Sequence, residues 1–284
     1  MSQINKTTYY TLISPEHRLC DLKLKEVITY RELIVLFASK ELRTRYKQTI
    51  LGPLWLIIAP LMTSIMHMIV FGTIAGIGTE GMPKILFYLA GNSLWEFFSG
   101  VFTRCTQTFS GNAHLFGKVY FPRLTVPFSY ILLSSFEFSV QFLIIIALCF
   151  WFSLHGFSFP YAGWLLIPLL LIWLGLLAMG LGIIVASLTT KYRDLNVLVR
   201  FGVQLWMYAT PIVYPLSVLK ENSLRSWVLI NPVTAPAELF RMWVLGVGSI
   251  SASSVVVSLT LTVISILAGM MIFNRIERSF MDTI

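Results

Sequence analysis

Long apolar stretches separated by short polar connections dominate this chain of 284 residues. Each stretch approaches the roughly twenty residues that a helix needs to cross about 30 Å of hydrocarbon. The pattern predicts an all-α integral membrane protein with a six-span transmembrane domain over residues 51–273. The predicted spans cover residues of about 52–71, 85–108, 125–152, 163–188, 195–214 and 251–273.

The two ends of the chain differ from this apolar region. Residues 1–29 are polar, have no apolar signal-peptide core, and are expected to form a cytoplasmic N-terminal segment. Residues 30–50 are predicted to form an amphipathic interfacial helix, because apolar positions recur every three or four residues while basic ones share another face. Residues 274–284 are expected to form a cytoplasmic tail.

The stretch 224–247 is apolar but interrupted. Asn231-Pro232, Pro236, Glu238 and Arg241 are incompatible with an unbroken helix that faces lipid. We therefore predict external re-entrant half-helices between spans 5 and 6.

The number and distribution of charged residues indicate the class of protein and its orientation in the membrane. Hydrophobic residues make up 56% of the chain and charged residues 12%, and the net charge is +8. Nine of the 21 Lys and Arg residues precede Gly52, and most others lie in short connections, so a single nucleic-acid-binding face is excluded. With both termini in the cytoplasm, 17 basic residues fall inside and four outside, as the positive-inside rule requires.

Motifs for catalysis and metal binding are missing. Residues 111–119 resemble a phosphate-binding loop only faintly, because five residues separate Gly111 from Gly117 and Val119 replaces Ser or Thr. The three cysteines and four histidines show no metal-ligand spacing. We therefore expect no metal, no cofactor and no ATP site in this chain, and no enzymatic activity of its own.

Two carboxylates fall inside predicted spans. Glu96 and Glu137 are costly in hydrocarbon, which makes a transport or proton-transfer role one hypothesis. Hydrogen bonding between helices is the alternative, and the sequence does not decide between them.

A stiff cytoplasmic connection follows span 2. In KVYFPRLTVP, Lys118 to Pro127, aromatic and basic residues lie between two prolines. Such a segment suits the transfer of motion from another protein, and a plain anchored turn is the equal alternative.

Four motifs together resemble one family. RYKQTILGPLW, Arg45 to Trp55, is similar to the first-span signature of type-2 ABC transporter permeases of the polysaccharide (O-antigen, capsule, teichoic acid) exporter family. KVYFPRLTVP resembles the coupling segment of that family, and KYRDL at Lys191 to Leu195 its second cytoplasmic loop. YPLSVL and INP, between Tyr214 and Pro232, resemble its external gate region.

This resemblance implies the partners and the location. It implies a second copy of the chain, two copies of a nucleotide-binding ATPase subunit that binds ATP and Mg, and undecaprenyl-linked polysaccharide as cargo. The location is then the bacterial inner membrane, among its lipids. Two other hypotheses remain: a same-fold exporter of drugs or small lipids, and a membrane-embedded glycosyl- or acyltransferase that uses Glu96 or Glu137.

The resemblance also implies roles for individual residues. The residues expected to contact the ATPase are Lys118, Tyr120, Phe121, Pro122 and Arg123. Arg43, Arg45 and Lys47 would meet the substrate headgroup, or alternatively hold the helix to anionic lipid. Aromatic rings stack on sugars, and the channel-lining candidates are Trp55, Tyr88, Trp95, Tyr208 and Tyr214, although packing or belt roles compete for each.

Overall fold

The computed structural model describes residues 24–116, 121–192, 194–219 and 224–281, and this part of the chain contains helices and no strand. Short 3₁₀ turns at Gly52–Leu54, Tyr161–Leu166 and Leu216–Leu219 join or precede the helices. The helices are α1 Leu24–Thr29, α2 Arg31–Tyr46, α3 Trp55–His67, α4 Lys84–Thr106, α5 Thr108–Phe116, α6 Thr125–Ser153, α7 Ile167–Lys191, α8 Leu195–Tyr208, α9 Leu224–Ile230, α10 Thr234–Val244 and α11 Ala252–Met281.

Four helical runs in the described residues are long and apolar enough to cross a membrane. They cover Gly52–Ile74, Thr125–Ser153, Tyr161–Thr190 and Ala252–Arg275. The first includes a π-helical end, Met68–Ile74, that continues α3. These runs confirm the prediction of an all-helical, multi-pass membrane protein.

The other two predicted spans differ from these four. α4 is continuous over 23 residues but carries several polar side chains. α8 has only 14 residues and ends before Pro211, because proline lacks the N–H that would continue the helix and restricts the residue before it. The predicted fifth stretch, 195–214, is therefore helical only up to Tyr208.

α4 lies at the centre of the fold. It contacts α3, α6, α7, α8 and α10, and most of its side chains are buried. Asn92 is 2% exposed and Ser93 is fully buried, so these polar groups face protein, as expected for a membrane helix that cannot present them to lipid.

Small residues allow the helices around α4 to approach closely. A Cβ atom at Gly182 of α7 would lie 2.5 Å from Cβ of Cys105 and 2.8 Å from the carbonyl oxygen of Phe102 on α4. On the opposite side, a Cβ at Gly269 of α11 would lie 2.8 Å from the carbonyl oxygen of Gly180. Ala178, Gly182 and Ala186, four residues apart and buried, thus form a close-packing face of α7.

We expect Gly182→Ala to destabilise the protein by about 1–3 kcal/mol, because the new methyl group overlaps backbone atoms that cannot move aside cheaply. The measurement is thermal unfolding of the purified protein in detergent. Gly202→Ala in α8 is the matched control, since nothing lies within 4 Å of its Cβ position. Equal unfolding midpoints for the two variants would contradict the predicted contact.

Candidate functional site

A polar cavity of about 590 Å³ lies where α2 ends and α3 begins, against α4 and α6. Its volume falls in the range of small-molecule sites in proteins. The lining combines cationic, anionic, amide, hydroxyl and aromatic side chains from four separate elements, including Arg45, Tyr46, Trp55, Glu96, Arg104, Ser134, Glu137 and Gln141.

One end of the cavity is an ion-pair network centred on Glu137 of α6. Arg104 of α4 donates from Nη2 to both carboxylate oxygens, at 2.9 and 2.8 Å, and from Nη1 to Oγ of Ser134 at 2.6 Å. Arg45, at the end of α2, donates from Nη1 to Oε1 of the same carboxylate at 2.8 Å. Glu137 thus connects three helices.

The two arginines differ in exposure. The side chain of Arg104 is 13% exposed and that of Arg45 is 53% exposed. A solvent-accessible ion pair contributes little to stability, whereas a pair that is mostly shielded from water and bonds both carboxylate oxygens is held more firmly. The Arg45 contact is therefore the weaker of the two contacts to Glu137.

The other end of the cavity is built around Glu96 of α4. Gln141 of α6 donates from Nε2 to Oε2 of Glu96 at 2.7 Å, and Asn92 donates from Nδ2 to Oε1 at 3.2 Å. Oε1 of Gln141 is buried and has no hydrogen-bond partner in the described part of the chain. Both predicted intramembrane acids thus make hydrogen bonds between α4 and α6.

Tyr46 lies beside Glu137 at the edge of this cavity, where α2 ends. Burial raises the pKa of the Tyr46 phenol above its ordinary value, and the nearby carboxylate of Glu137 raises it further. The phenol is therefore protonated at neutral pH and can donate a hydrogen bond.

The predicted channel aromatics divide into two groups. Trp55 is 44% exposed and Tyr208 is 49% exposed, and the half-buried Tyr214 donates from its hydroxyl to the carbonyl oxygen of Tyr208 at 3.2 Å. Tyr88 and Trp95 are only 1% and 5% exposed and pack inside the helix core. Their rings can reach a ligand only if the surrounding helices separate.

The three predicted headgroup residues are all exposed near the end of α2. Arg43 and Lys47 lie beyond the lining of the polar cavity, and Arg45 enters it through the bond to Glu137. Sequence reasoning did not identify Arg104, Gln141 or Tyr46 as members of this site, because their proximity depends on the register between helices.

The predicted coupling segment is only partly visible, since Lys118 and Tyr120 lie outside the described residues. Phe121 is 7% exposed, and its ring centroid lies 5.5 Å from that of Phe37 on α2 and 5.7 Å from that of Phe116 on α5. The guanidinium carbon of Arg123 lies 5.3 Å from the Phe116 ring centroid. The carbonyl oxygen of Pro122 accepts a hydrogen bond from the Thr125 hydroxyl. This segment therefore packs directly against α2 and α5.

Asn231, in the INP motif, fixes the turn between α9 and α10. Its side chain accepts from Nε1 of Trp206 at 3.2 Å and donates to the carbonyl oxygen of Ala209 and to Oγ1 of Thr210. Ala209 and Thr210 directly follow α8. The turn between the two short helices is thus attached to the end of α8.

A fully buried ion pair lies in α10. Arg241 donates to Oε1 of Glu238 at 2.9 Å, and both side chains are 1% exposed. Arg241 also donates to the carbonyl oxygens of Ile212 and Tyr214, and its guanidinium lies 4.2 Å from the Phe87 ring centroid. These contacts attach α10 to the segment after α8 and to the start of α4.

The packed apolar helices and the internally satisfied polar groups define a polytopic α-helical membrane protein. Residues 32–245 match the family described as "ABC-2 type transporter", and the chain belongs to this family of transporter membrane subunits.

Curated relatives cover nearly the whole chain. Two proteins of Klebsiella pneumoniae, each named "O-antigen export system permease protein RfbA", are 29% and 26% identical over 92% of this chain and 98% of their own length. A protein of the same name from Myxococcus xanthus is 28% identical over 75% of this chain and 80% of its own.

We expect Glu238→Gln and Arg241→Met each to destabilise the protein by about 3–5 kcal/mol, because each leaves the other member of the buried pair without its counter-charge. The double variant should lose less than the sum of the two single losses. Thermal unfolding in detergent measures all three variants. Additive losses would contradict a direct ion pair.

Proposed function

We propose that this chain is the membrane-spanning permease subunit of an ATP-driven exporter that moves lipid-linked polysaccharide, of the O-antigen type, from the cytoplasm across the bacterial inner membrane. The observation that carries the proposal is the similarity to three permeases named for O-antigen export, two of them over nearly their full length, together with a family match over residues 32–245. The four motifs of the sequence are distributed in the order typical of such permeases.

The proposed topology has six spans, with both termini in the cytoplasm. The four long apolar runs supply four spans, and α4 and α8 supply the remaining two. α4 can lie in the membrane because its polar side chains are bonded inside the protein. α9 and α10 are the proposed external re-entrant pair.

The proposed assembly contains two copies of this chain and two copies of a separate ATPase subunit that binds ATP and Mg. The faces assigned to the path or to the second copy are apolar side chains exposed on the run Gly52–Ile74 and on α8. These side chains are Leu54, Trp55, Met62, Met66, Ile69 and Val70 on that run, and Val197, Leu198, Phe201, Leu205 and Tyr208 on α8.

Within this assembly we assign the glycan path to α3 and α8. Trp55 and Tyr208 are exposed and offer ring faces to sugars, and Tyr214 lies beside Tyr208. Tyr88 and Trp95, which are buried in α4, are assigned to support the wall of this path without facing it. Arg43, Arg45 and Lys47 would meet the substrate diphosphate or anionic lipid at the cytoplasmic face.

Motion of the ATPase would enter through residues 118–123. Phe121 transmits it to Phe37 of α2 and Phe116 of α5, with which it is in ring contact. At the external side, Asn231 moves α9 and α10 together with the end of α8. The cytoplasmic input therefore reaches α2 and α5, whereas the external pair α9 and α10 moves with α8.

Deletion of the gene from its own host should leave lipid-linked glycan inside the cell and remove it from the surface. The tagged protein should purify as a dimer together with a Walker-motif ATPase. Surface glycan and cytoplasmic lipid-linked glycan are measured by immunoblotting and lipid extraction, and the wild-type gene on a plasmid is the control.

Two outcomes of the deletion experiment favour the other functions. Intact surface glycan with increased sensitivity to a drug would favour the same-fold exporter of drugs or small lipids. A monomer that turns over a glycosyl or acyl donor without an ATPase would favour the transferase.

Replacing both Phe121 and Arg123 by Ala should abolish export while ATP hydrolysis by the complex continues, because the side-chain packing of this segment against α2 and α5 is lost. Phe121→Leu is the matched control, since it keeps an apolar side chain in the same buried position. Export and hydrolysis are assayed in the same proteoliposomes. Unchanged export by the double variant would remove this segment from the mechanism.

A further inference from the structure

We propose that the polar cavity between α2, α3, α4 and α6 binds the glycosyl diphosphate end of the lipid carrier. On binding, Arg45 releases Glu137 and bonds the diphosphate instead, and Gln141 forms a hydrogen bond with the first sugar. The inference rests on the proposed function and adds a binding site within one copy of the chain. This cavity adjoins the glycan path assigned to the exposed faces of α3 and α8, and the two share Trp55.

The cavity contains two different chemical environments at a fixed separation. Glu137 and Gln141 are four residues apart on α6, so they share one face and lie roughly 6 Å apart along the axis. On the antiparallel α4, Arg104 bonds Glu137 and Glu96 bonds Gln141. The position around Glu137 is therefore cationic, and the position around Gln141 offers carboxylate and amide groups.

The cationic position is suited to the exchange of one anion for another. Glu137 is bonded by two arginines, and Nη2 of Arg104 alone bonds both of its carboxylate oxygens. Arg45 can therefore leave without stranding a buried carboxylate. Because its side chain is 53% exposed, its bond to Glu137 contributes little, and a diphosphate with greater charge can replace the carboxylate.

The position beside Glu96 has the composition of a sugar site. Glu96, Gln141 and Ser93 supply acceptors and donors for hydroxyl groups, and Trp55 supplies an indole ring from the opposite wall. Gln141 is 4% exposed, and its Oε1 accepts no hydrogen bond among the described residues. A buried acceptor without a donor is costly, and a sugar hydroxyl is the group that would satisfy it.

The proposed exchange predicts opposite effects on ligand affinity for variants of Arg45 and of Glu137. Arg45→Gln removes the phosphate ligand, so affinity for a prenyl diphosphate should fall about tenfold, as expected for the loss of a charge-assisted hydrogen bond. Glu137→Gln removes the competing anion, so affinity should rise. If the network had only a structural role, both variants would weaken binding, because each breaks the same ion pair.

The experiment uses the permease–ATPase complex in phosphatidylcholine nanodiscs and measures the dissociation constants of two probes. One probe is farnesyl diphosphate, and the other is farnesyl diphosphate linked to a single N-acetylglucosamine. We expect Arg45→Gln to weaken both probes and Glu137→Gln to strengthen both. Gln141→Leu should weaken only the glycosylated probe, again by about tenfold.

Matched controls lie on the same helices outside the cavity. Lys40→Gln on α2 removes an exposed positive charge, and Ser139→Ala on α6 removes an exposed hydroxyl that bonds only to the backbone of Ser135. Neither should change either dissociation constant. An effect of Lys40→Gln equal to that of Arg45→Gln would mean general surface charge and would overturn the site.

Two further results would overturn the proposal. One is equal displacement of both probes by phosphatidylglycerol added to the nanodiscs, which would mean that the cavity binds any lipid phosphate. Glu137→Gln could weaken binding as much as Arg45→Gln, which would mean a structural network. Neither result touches the proposed function, which fails separately if deletion of the gene leaves surface glycan intact.

Discussion

The fold depends on one constraint: the polar side chains of α4 cannot face hydrocarbon and must be bonded within the protein. α4 meets this constraint by lying inside the helix bundle, where Asn92, Glu96 and Arg104 find partners on their own helix or on α6. The neighbouring helices supply small residues that permit this central position, as Gly182 does against Cys105. The same requirement that buries α4 therefore creates the polar cavity beside it.

The region from the end of α8 to α10 follows the same rule with different residues. The segment after α8 has no helical partners for its carbonyl groups, and Arg241 binds those of Ile212 and Tyr214. Glu238 balances the charge of Arg241, and the backbone N–H of Ser249 bonds the same carboxylate. Non-helical backbone at this depth is tolerated because buried side chains satisfy it. The Asn231 side chain does the same for Ala209 and Thr210.

Hydropathy was sufficient to predict the helical membrane fold, the four long apolar runs and the break between α9 and α10, since each depends on composition along the chain. It could not separate Trp55 from Trp95, because one is 44% exposed and the other 5% exposed for reasons that lie in neighbouring helices. The pairing of Arg104 with Glu137, and of Gln141 with Glu96, depends on the register of α4 against α6. Periodicity indicates which face is apolar, but it does not indicate which residue lies opposite.

The strengths of these contacts indicate where the molecule can move. Glu137 is held tightly by the partly buried Arg104 and loosely by the exposed Arg45, and Glu238 and Arg241 are almost fully buried. Separating α4 from α6, or α10 from the end of α8, would expose unpaired charge and is opposed by several kcal/mol, on the order of 3–5. Separating α2 from α6 breaks the more accessible ion pair, between Arg45 and Glu137, and a ring contact between Phe37 of α2 and Phe121, which precedes α6. Of these three boundaries, the one between α2 and α6, where the polar cavity lies, is therefore held by the weakest ion pair.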